Sequence, residues 1–243
     1  MKISVCMATF NGERFISQQV STIIKQLRQD DELIISDDSS TDNTVEIIKG
    51  FHDNRIILLE NQKFNNPILN VENSIKNSKG NIIFLSDQDD VWFNGKVQEM
   101  IEWLGFYDLV VSDCKVTDEN LNILSPSFFK SRKSGKGVIK NLFKNSYLGC
   151  CMAFKRTLLK YILPFPKNIP MHDWWIGLVA ELTGKVIFLE EPLIFYRRHN
   201  KSVSATARQS NEILFKKLKW RYIMLKELLI RHSEIKNAIN VKI

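Results

Sequence analysis

Residues 84–92, "FLSDQDDVW", crowd Asp87, Asp89 and Asp90 together directly after an apolar run. Like charges at this spacing repel and raise one another's pKa values, so the arrangement costs stability unless something positive sits among them. A hard divalent cation answers that need, because Mg²⁺ or Mn²⁺ takes oxygen ligands and keeps water and substrate phosphates in its shell. Asp87, Asp89 and Asp90 would then hold the cation, and the cation a diphosphate. Two other polar clusters follow apolar runs: Thr9, Asn11 and Glu13 in "TFNGE", and Asp37 and Asp38 in "SDDSS". Asp173 stands between His172 and the apolar "WWIGLVAEL". By position alone that aspartate reads as a helix N-cap. Neither G-x-G-x-x-G nor a P-loop follows the first apolar run, where only Gly12 stands, so those phosphate-binding modes are excluded.

These residues must be positioned by an alternating chain. The patterns predict strands over 2–10, 32–38, 55–61, 81–86 and 108–116. Between them lie helical spacings over 13–29, 39–51, 67–79 and 96–106. Such alternation implies a mostly parallel sheet covered on both faces. Ligands then gather beyond the carboxyl ends of its strands, and the three clusters fall at one such edge. Beyond about residue 115 the rhythm loosens. A polar loop is expected over 125–137, then "SYLGCCMAFKRTLLKYI", an apolar helix after Asp173, and a strand-like "KVIFLEEPLIFYRRH".

The 243-residue chain suits one large α/β domain with an appendage, and its 44% hydrophobic and 25% charged content is that of a folded protein. Cys6, Cys114, Cys150 and Cys151 show no C-x-x-C spacing, and a vicinal pair is poorly placed for a structural disulfide. No signal peptide and no apolar stretch of spanning length is read, which points to a cytoplasmic protein. The net charge is +7, concentrated in 130–144 and in 215–232, and favours an anionic partner.

Five stretches, "SVCMATFNGERFI", "LIISDDSSTDNT", "FLSDQDDVW", "LGCCMAFKR" and "HDWWIGLVAE", together resemble the family 2 glycosyltransferases of GT-A fold, in order and spacing over residues 3–200. The resemblance implies a Rossmann-like, mostly parallel central sheet flanked by helices. It also implies inverting transfer of a sugar from a nucleotide-diphosphate donor. Thr9, Asn11, Glu13 and Asp38 would surround the donor base and ribose. Asp87 and Asp89 would form the D-x-D pair meeting ribose and metal, with Asp89 and Asp90 alternative ligands, and Asp173 would be the general base. Inversion requires a carboxylate to take the acceptor hydroxyl proton from the face opposite the leaving group. His199, in "YRRHN", is a candidate for the diphosphate or the metal. Trp92, Cys150, His172 and Trp174 are candidates for the acceptor side, although tryptophans at helix starts are as often core.

The expected organisation is a catalytic domain over 1–205, divided into a nucleotide-sugar half (1–115) and an acceptor half (116–205), with a basic amphipathic helix over 206–243. In that tail Ile213, Leu214, Leu218, Tyr222, Leu225, Leu228 and Leu229 fall near one helical face. Such a face either rests on an anionic bilayer, at the inner side of the cell membrane, or packs on the domain or a second subunit. Packing is the favoured reading. The family and the basic tail together suggest a saccharide acceptor on a polyprenyl diphosphate, in O-antigen or capsule synthesis. Two alternatives are a sugar-phosphate nucleotidyltransferase, which would also need Mg²⁺ and carboxylates, and a non-catalytic nucleic-acid-binding protein. Acidic strand ends facing a phosphate backbone argue against the last, so nucleic acid is not an expected partner.

Overall fold

The computed structural model describes residues 1–199 and 211–240, with side chains of the last helix described over 215–237. The expected domain boundary at 205/206 and Asn200 lie outside the described residues.

The first half alternates as its pattern requires: β1 (Ile3–Thr9), α1 (Ile16–Ile24), β2 (Glu32–Asp37), α2 (Thr44–Lys49), β3 (Ile56–Leu59), α3 (Pro67–Asn77) and β4 (Ile82–Ser86). β2 and β4 are buried along their whole length, as strands covered on both faces must be. Their β-branched and aromatic residues suit that position. Asn66 caps α3 by accepting from Ile68 N at 2.9 Å, and Pro67 occupies the first turn, where its missing N–H costs nothing.

The second half comprises β5 (Val91–Trp92), α4 (Lys96–Leu104), β6 (Leu109–Thr117), β7 (Ile123–Ser125), α5 (Phe128–Arg132), α6 (Val138–Phe143), β8 (Met152–Lys155), α7 (Leu159–Ile162), α8 (His172–Thr183), β9 (Val186–Arg197) and α9 (Asn211–Asn240). All strands join one sheet, in the order β3-β2-β1-β4-β8-β6-β9-β5, with β7 beside β6. The β3-β2-β1-β4 block is parallel throughout. β8 enters antiparallel between β4 and β6, and β6 runs parallel to β9. β6 also crosses the expected 115/116 division, so both halves share the sheet.

This order determines where a ligand can sit. From β1 the chain winds outward through β2 to β3, then returns to lay β4 on the other side of β1. The β1/β4 boundary is therefore a topological switch point, where the connecting loops diverge and leave a crevice. The pairings Thr9↔Asp37 and Met7↔Ser86 bring the carboxyl ends of β1, β2 and β4 to that one edge. β9 bends toward it as well: its register against β6 shifts where Asp113 faces Pro192, and a bulge there re-aims the remainder of the strand.

Residues 125–137 are not purely a loop. Ser127 accepts from Lys130 N at 3.0 Å and caps α5. Asp113 Oδ1 accepts from Phe129 N at 2.9 Å, and Phe128 and Phe129 are buried. The polar composition of the segment hid a short helix held by a distant carboxylate. The tail helix packs on the domain, but of the face its periodicity suggested only Leu228 is buried. Trp220, Met224 and Leu228 turn inward, while Leu218, Tyr222, Leu225 and Leu229 are exposed; Ile213 and Leu214 lie outside the described side chains. Arg231 fastens the far end, donating to Pro164 O at 2.8 Å and lying 5.3 Å from the Trp175 ring.

α8 is buried on nearly every side, as an apolar helix through a core must be. Its Gly177 allows the Tyr147 ring to lie against the backbone: a Cβ there would meet that ring at 2.4 Å. Gly177→Ala is expected to destabilise the fold by about 1–3 kcal/mol, the usual cost of overpacking a filled core. Urea denaturation of both proteins checks this; unchanged stability would mean that Tyr147 can move aside.

Candidate active site

Three loops interlock at the switch point. In the loop after β1, Asn11 adopts a left-handed conformation (φ 48°), which asparagine tolerates better than most residues. Its amide donates to Ser40 Oγ at 2.9 Å, and its Oδ1 accepts from Thr41 N at 2.8 Å. Glu13 Oε2 accepts from Asn43 N at 3.1 Å, so the β1 and β2 loops are cross-tied. Asp38 is buried and spans further: it accepts from Phe64 N at 2.7 Å and Asn66 N at 3.3 Å, beyond β3. Gln88 joins β4 to β1. Its Oε1 accepts from Phe10 N at 3.0 Å and from the buried Thr9 hydroxyl, and a Cβ on Gly12 would stand 2.5 Å from that oxygen. Thr9, Asn11, Glu13 and Asp38 thus converge on one crevice, as expected. Gln88, which holds them to β4, was not anticipated; an amide between acids carries no distinguishing sequence signal.

The aspartates after β4 diverge in environment. Asp89 lies 2.7 Å from His199 Nε2, both side chains being partly accessible. Asp90 is fully buried, accepting from Arg197 N at 3.0 Å through Oδ1, while Oδ2 has no hydrogen-bond partner among the described residues. Burial, then Asp89 and Asp87, push its carboxyl well above the usual range. Asp87 is raised to about 7 by burial, then by Asp89 and Asp173. One ligand atom each from Asp87, Asp90 and Cys150 falls within 4.8 Å of the others.

Positive charge approaches this cluster from two directions. Lys96, at the start of α4, is completely buried, donates to Cys150 O at 2.8 Å and lies 4.8 Å from the Trp92 ring. Arg197 is buried at the end of β9, stacked 4.3 Å from the Phe15 ring and donating to Gln18 Oε1 at 2.8 Å. Sequence reasoning missed Lys96, because a lysine after Asn-Gly reads as a surface residue. The cluster retains raised pKa values despite both cations. Its carboxylate and imidazole donors are those a divalent ion takes, so the residues present fit Mn²⁺ or Mg²⁺.

Asp173 stands in the first turn of α8, whose N-cap is Met171, so it is not the cap itself. Its Oδ1 accepts from Trp174 N at 2.6 Å. Burial raises its carboxyl to about 7, against the pull of the Trp174 and Gly149 N–H groups. A Cβ on Gly149 would lie 3.7 Å from that of Asp173, and the neighbouring Cys150 thiol falls within 4.8 Å of an Asp87 oxygen, so Asp173 stands near enough to raise Asp87. His172 beside it is held down to about 4 by burial and is therefore neutral at physiological pH.

The other acceptor-side candidates are placed less favourably. Trp92 lies in β5 rather than at a helix start, and it is buried 5.8 Å from the Phe84 ring, where it packs the core. Trp174 is buried and donates to Asn141 O at 2.8 Å. Cys150 is fully buried below Asp87, with its thiol pushed up by contact with Cys151 and by burial, as a packing residue. Only His172 of this group is partly accessible.

With this geometry in view, the chain can be set beside known proteins. The profile described as "Glycosyl transferase family 2" matches residues 4–163, and the chain belongs to that family. It is 32% identical over 218 residues to the Escherichia coli protein WfaP, a "UDP-Glc:alpha-D-GlcNAc-diphosphoundecaprenol beta-1,3-glucosyltransferase", covering 86% of this chain and 84% of WfaP. It is 29% identical over 218 residues to the Shigella flexneri "dTDP-rhamnosyl transferase RfbG", covering 82% of this chain and 74% of RfbG. Among solved structures it resembles residues 1–349 of S. aureus TarS in complex with UDP-GlcNAc, with TM-score 0.70 and 19% identity over 92% of this chain. The chain spans just under two thirds of that structure (66%), and the likeness establishes the GT-A fold. The family decides for glycosyl transfer over the nucleotidyltransferase reading.

A pH signature follows from the raised Asp87. Without metal, the folded chain keeps this proton up to about pH 7, whereas the unfolded chain releases it near 3.8, the ordinary aspartate value. The folded state binds more protons across that window, so stability falls as pH rises through it. Asp87→Asn is expected to raise the thermal midpoint of metal-free protein at pH 8 and to leave it unchanged below pH 4. Scanning calorimetry in EDTA across this range checks it; an equal shift at both ends would show a packing effect instead.

Proposed function

We propose that the protein is an inverting glycosyltransferase that moves a hexosyl or deoxyhexosyl residue from a UDP- or dTDP-sugar to a hydroxyl of a saccharide acceptor. The acceptor is carried on a polyprenyl diphosphate, in surface-polysaccharide synthesis of the O-antigen type at the inner face of the cell membrane. One observation carries this reading: beyond the carboxyl end of β4, Asp89 meets His199 beside the Asp87–Asp90–Cys150 group, and Asp173 adjoins Gly149, next to Cys150. The activities for which WfaP and RfbG are named support the donor and acceptor classes.

In this reading residues 1–115 form the donor half and 116–205 the acceptor half. Thr9, Asn11, Glu13 and Asp38 shape the crevice for base and ribose, and Asp87 meets the ribose. Asp89 and His199, in contact and both partly accessible, hold Mn²⁺ or Mg²⁺. Asp90 instead anchors the end of β9 through Arg197. When bound, the cation neutralises charge on the departing diphosphate. Asp173 takes the proton of the attacking acceptor hydroxyl. A carboxyl near 7 suits this task, because a general base works best when its pKa lies near the operating pH. His172, neutral and adjacent, orients the acceptor.

Asp173→Asn should lower kcat by roughly 10²–10⁴-fold with donor binding kept, the usual contribution of a positioned base. The wild-type kcat/KM should fall as pH drops below about 7, where Asp173 gains its proton, and the variant should lose that limb. A variant that turns over normally per folded molecule would leave Asp173 a purely structural role.

Asp89→Ala should abolish both Mn²⁺ binding in calorimetry and sugar transfer, and EDTA should reproduce the second effect. His199→Ala should weaken the ion while donor-free thermal stability persists. Full activity in EDTA would sink the metal assignment.

A further inference from the structure

The two basic segments singled out in the sequence, 130–144 and 215–232, meet in the fold. Arg221 of α9 donates to Phe143 O of α6 at 2.6 Å, and its guanidinium lies 5.7 Å from the Phe143 ring. Around that junction the surface is apolar. Ile139 and Phe143 on α6 are 74% and 66% exposed, and Phe215 and Tyr222 on α9 are 73% and 67% exposed. Leu218, Leu225 and Leu229 continue the α9 stripe, all of them exposed. The domain does not need this face, because α9 already packs by Trp220, Met224 and Leu228. Contiguous exposed apolar surface rimmed by polar residues marks an interaction site.

We propose that α6 and the outward face of α9 together form a docking surface for an anionic lipid bilayer. Charge selects this occupant. Over residues 215–229 the helix carries Lys216, Lys217, Lys219, Arg221 and Lys226 against a single acid, Glu227, and α6 adds the exposed Lys140 and Lys144. At 100° per residue, Lys219 and Lys226 flank the stripe on one side and Arg221 on the other. An apolar stripe edged by lysine and arginine is the pattern of a helix lying in the headgroup boundary. The 3-4-3-4 spacing of Phe215, Leu218, Tyr222, Leu225 and Leu229 would also suit a coiled coil. Pairing with a second copy, however, needs acids opposite the lysines, and this helix supplies almost none. No described helix is long and apolar enough to cross a membrane, so the contact is peripheral. The surface stands on its own chemistry, independent of the sugar-transfer reading.

The full chain should co-sediment with phosphatidylcholine vesicles containing phosphatidylglycerol, far less with phosphatidylcholine alone, and lose this binding at high salt. Each cation near such a surface contributes a factor of about five to partitioning, so Lys219→Glu/Lys226→Glu should weaken binding by well over tenfold. Leu218→Ser/Tyr222→Ser and Ile139→Ser/Phe143→Ser should each weaken it too, the second separating a joint surface from a tail acting alone. Thermal midpoints are measured in parallel, and the charge reversals, at exposed positions, serve if a serine variant unfolds. Wild-type protein left in the supernatant with anionic vesicles overturns the proposal. So does binding that ignores both lipid charge and salt. A wild-type dimer in sedimentation velocity that becomes monomeric with Leu218→Ser/Tyr222→Ser, without vesicle binding, assigns the face to a second copy instead.

Discussion

Mutual repulsion among Asp87, Asp89, Asp90 and Asp173 in a poorly hydrated cleft is the constraint on which the rest of this structure depends. Burial raises Asp87, Asp90 and Asp173, and neighbouring carboxylates push Asp87 and Asp90 up further. The fold surrounds them with what it has: the Lys96 ammonium from α4, and Arg197 and His199 from the end of β9. Asp87 and Asp173 still stand near 7, and Asp90 well above the usual range. In the proposed reading that imbalance favours a divalent cation, while burial leaves Asp173 able to exchange a proton near neutral pH.

Holding such a cluster together requires rigidity around it. The loops after β1 and β2 are tied by Asn11 and Glu13, Asp38 ties both to the chain beyond β3, and Gln88 closes the ring onto β4. On the opposite side, α8 presents Asp173 in its first turn, where the positive end of the helix dipole and the N–H groups of Trp174 and Gly149 moderate the effect of burial.

Legibility differed between the two halves for a physical reason. In residues 1–117 each element except the two-residue β5 follows from local periodicity, since a strand buried on both faces and an amphipathic helix each leave their own pattern. Beyond that, contacts distant in sequence decide. β8 inserts antiparallel beside β4, and α5 forms because Asp113 receives the Phe129 amide. The α9 stripe shows the same limit. Periodicity grouped Leu218, Tyr222, Leu225, Leu228 and Leu229 on one apolar face, yet of these the domain took only Leu228, together with Trp220 and Met224. An apolar stripe records that a surface wants to leave water, not which surface receives it.

The sequence by itself determined the alternating sheet, the edge on which its acids gather, the identity of those acids and the family to which they belong. These rest on residue types and near-neighbour spacing, which survive unfolding. Only the tertiary structure decided that Asp89 meets His199 while Asp90 is sealed beneath Arg197, that Trp92 packs in the core, and that Lys96 is buried under the site. Burial and the approach of groups more than a hundred residues apart set the charge state and accessibility of each carboxyl, and neither is encoded in any local window of the chain.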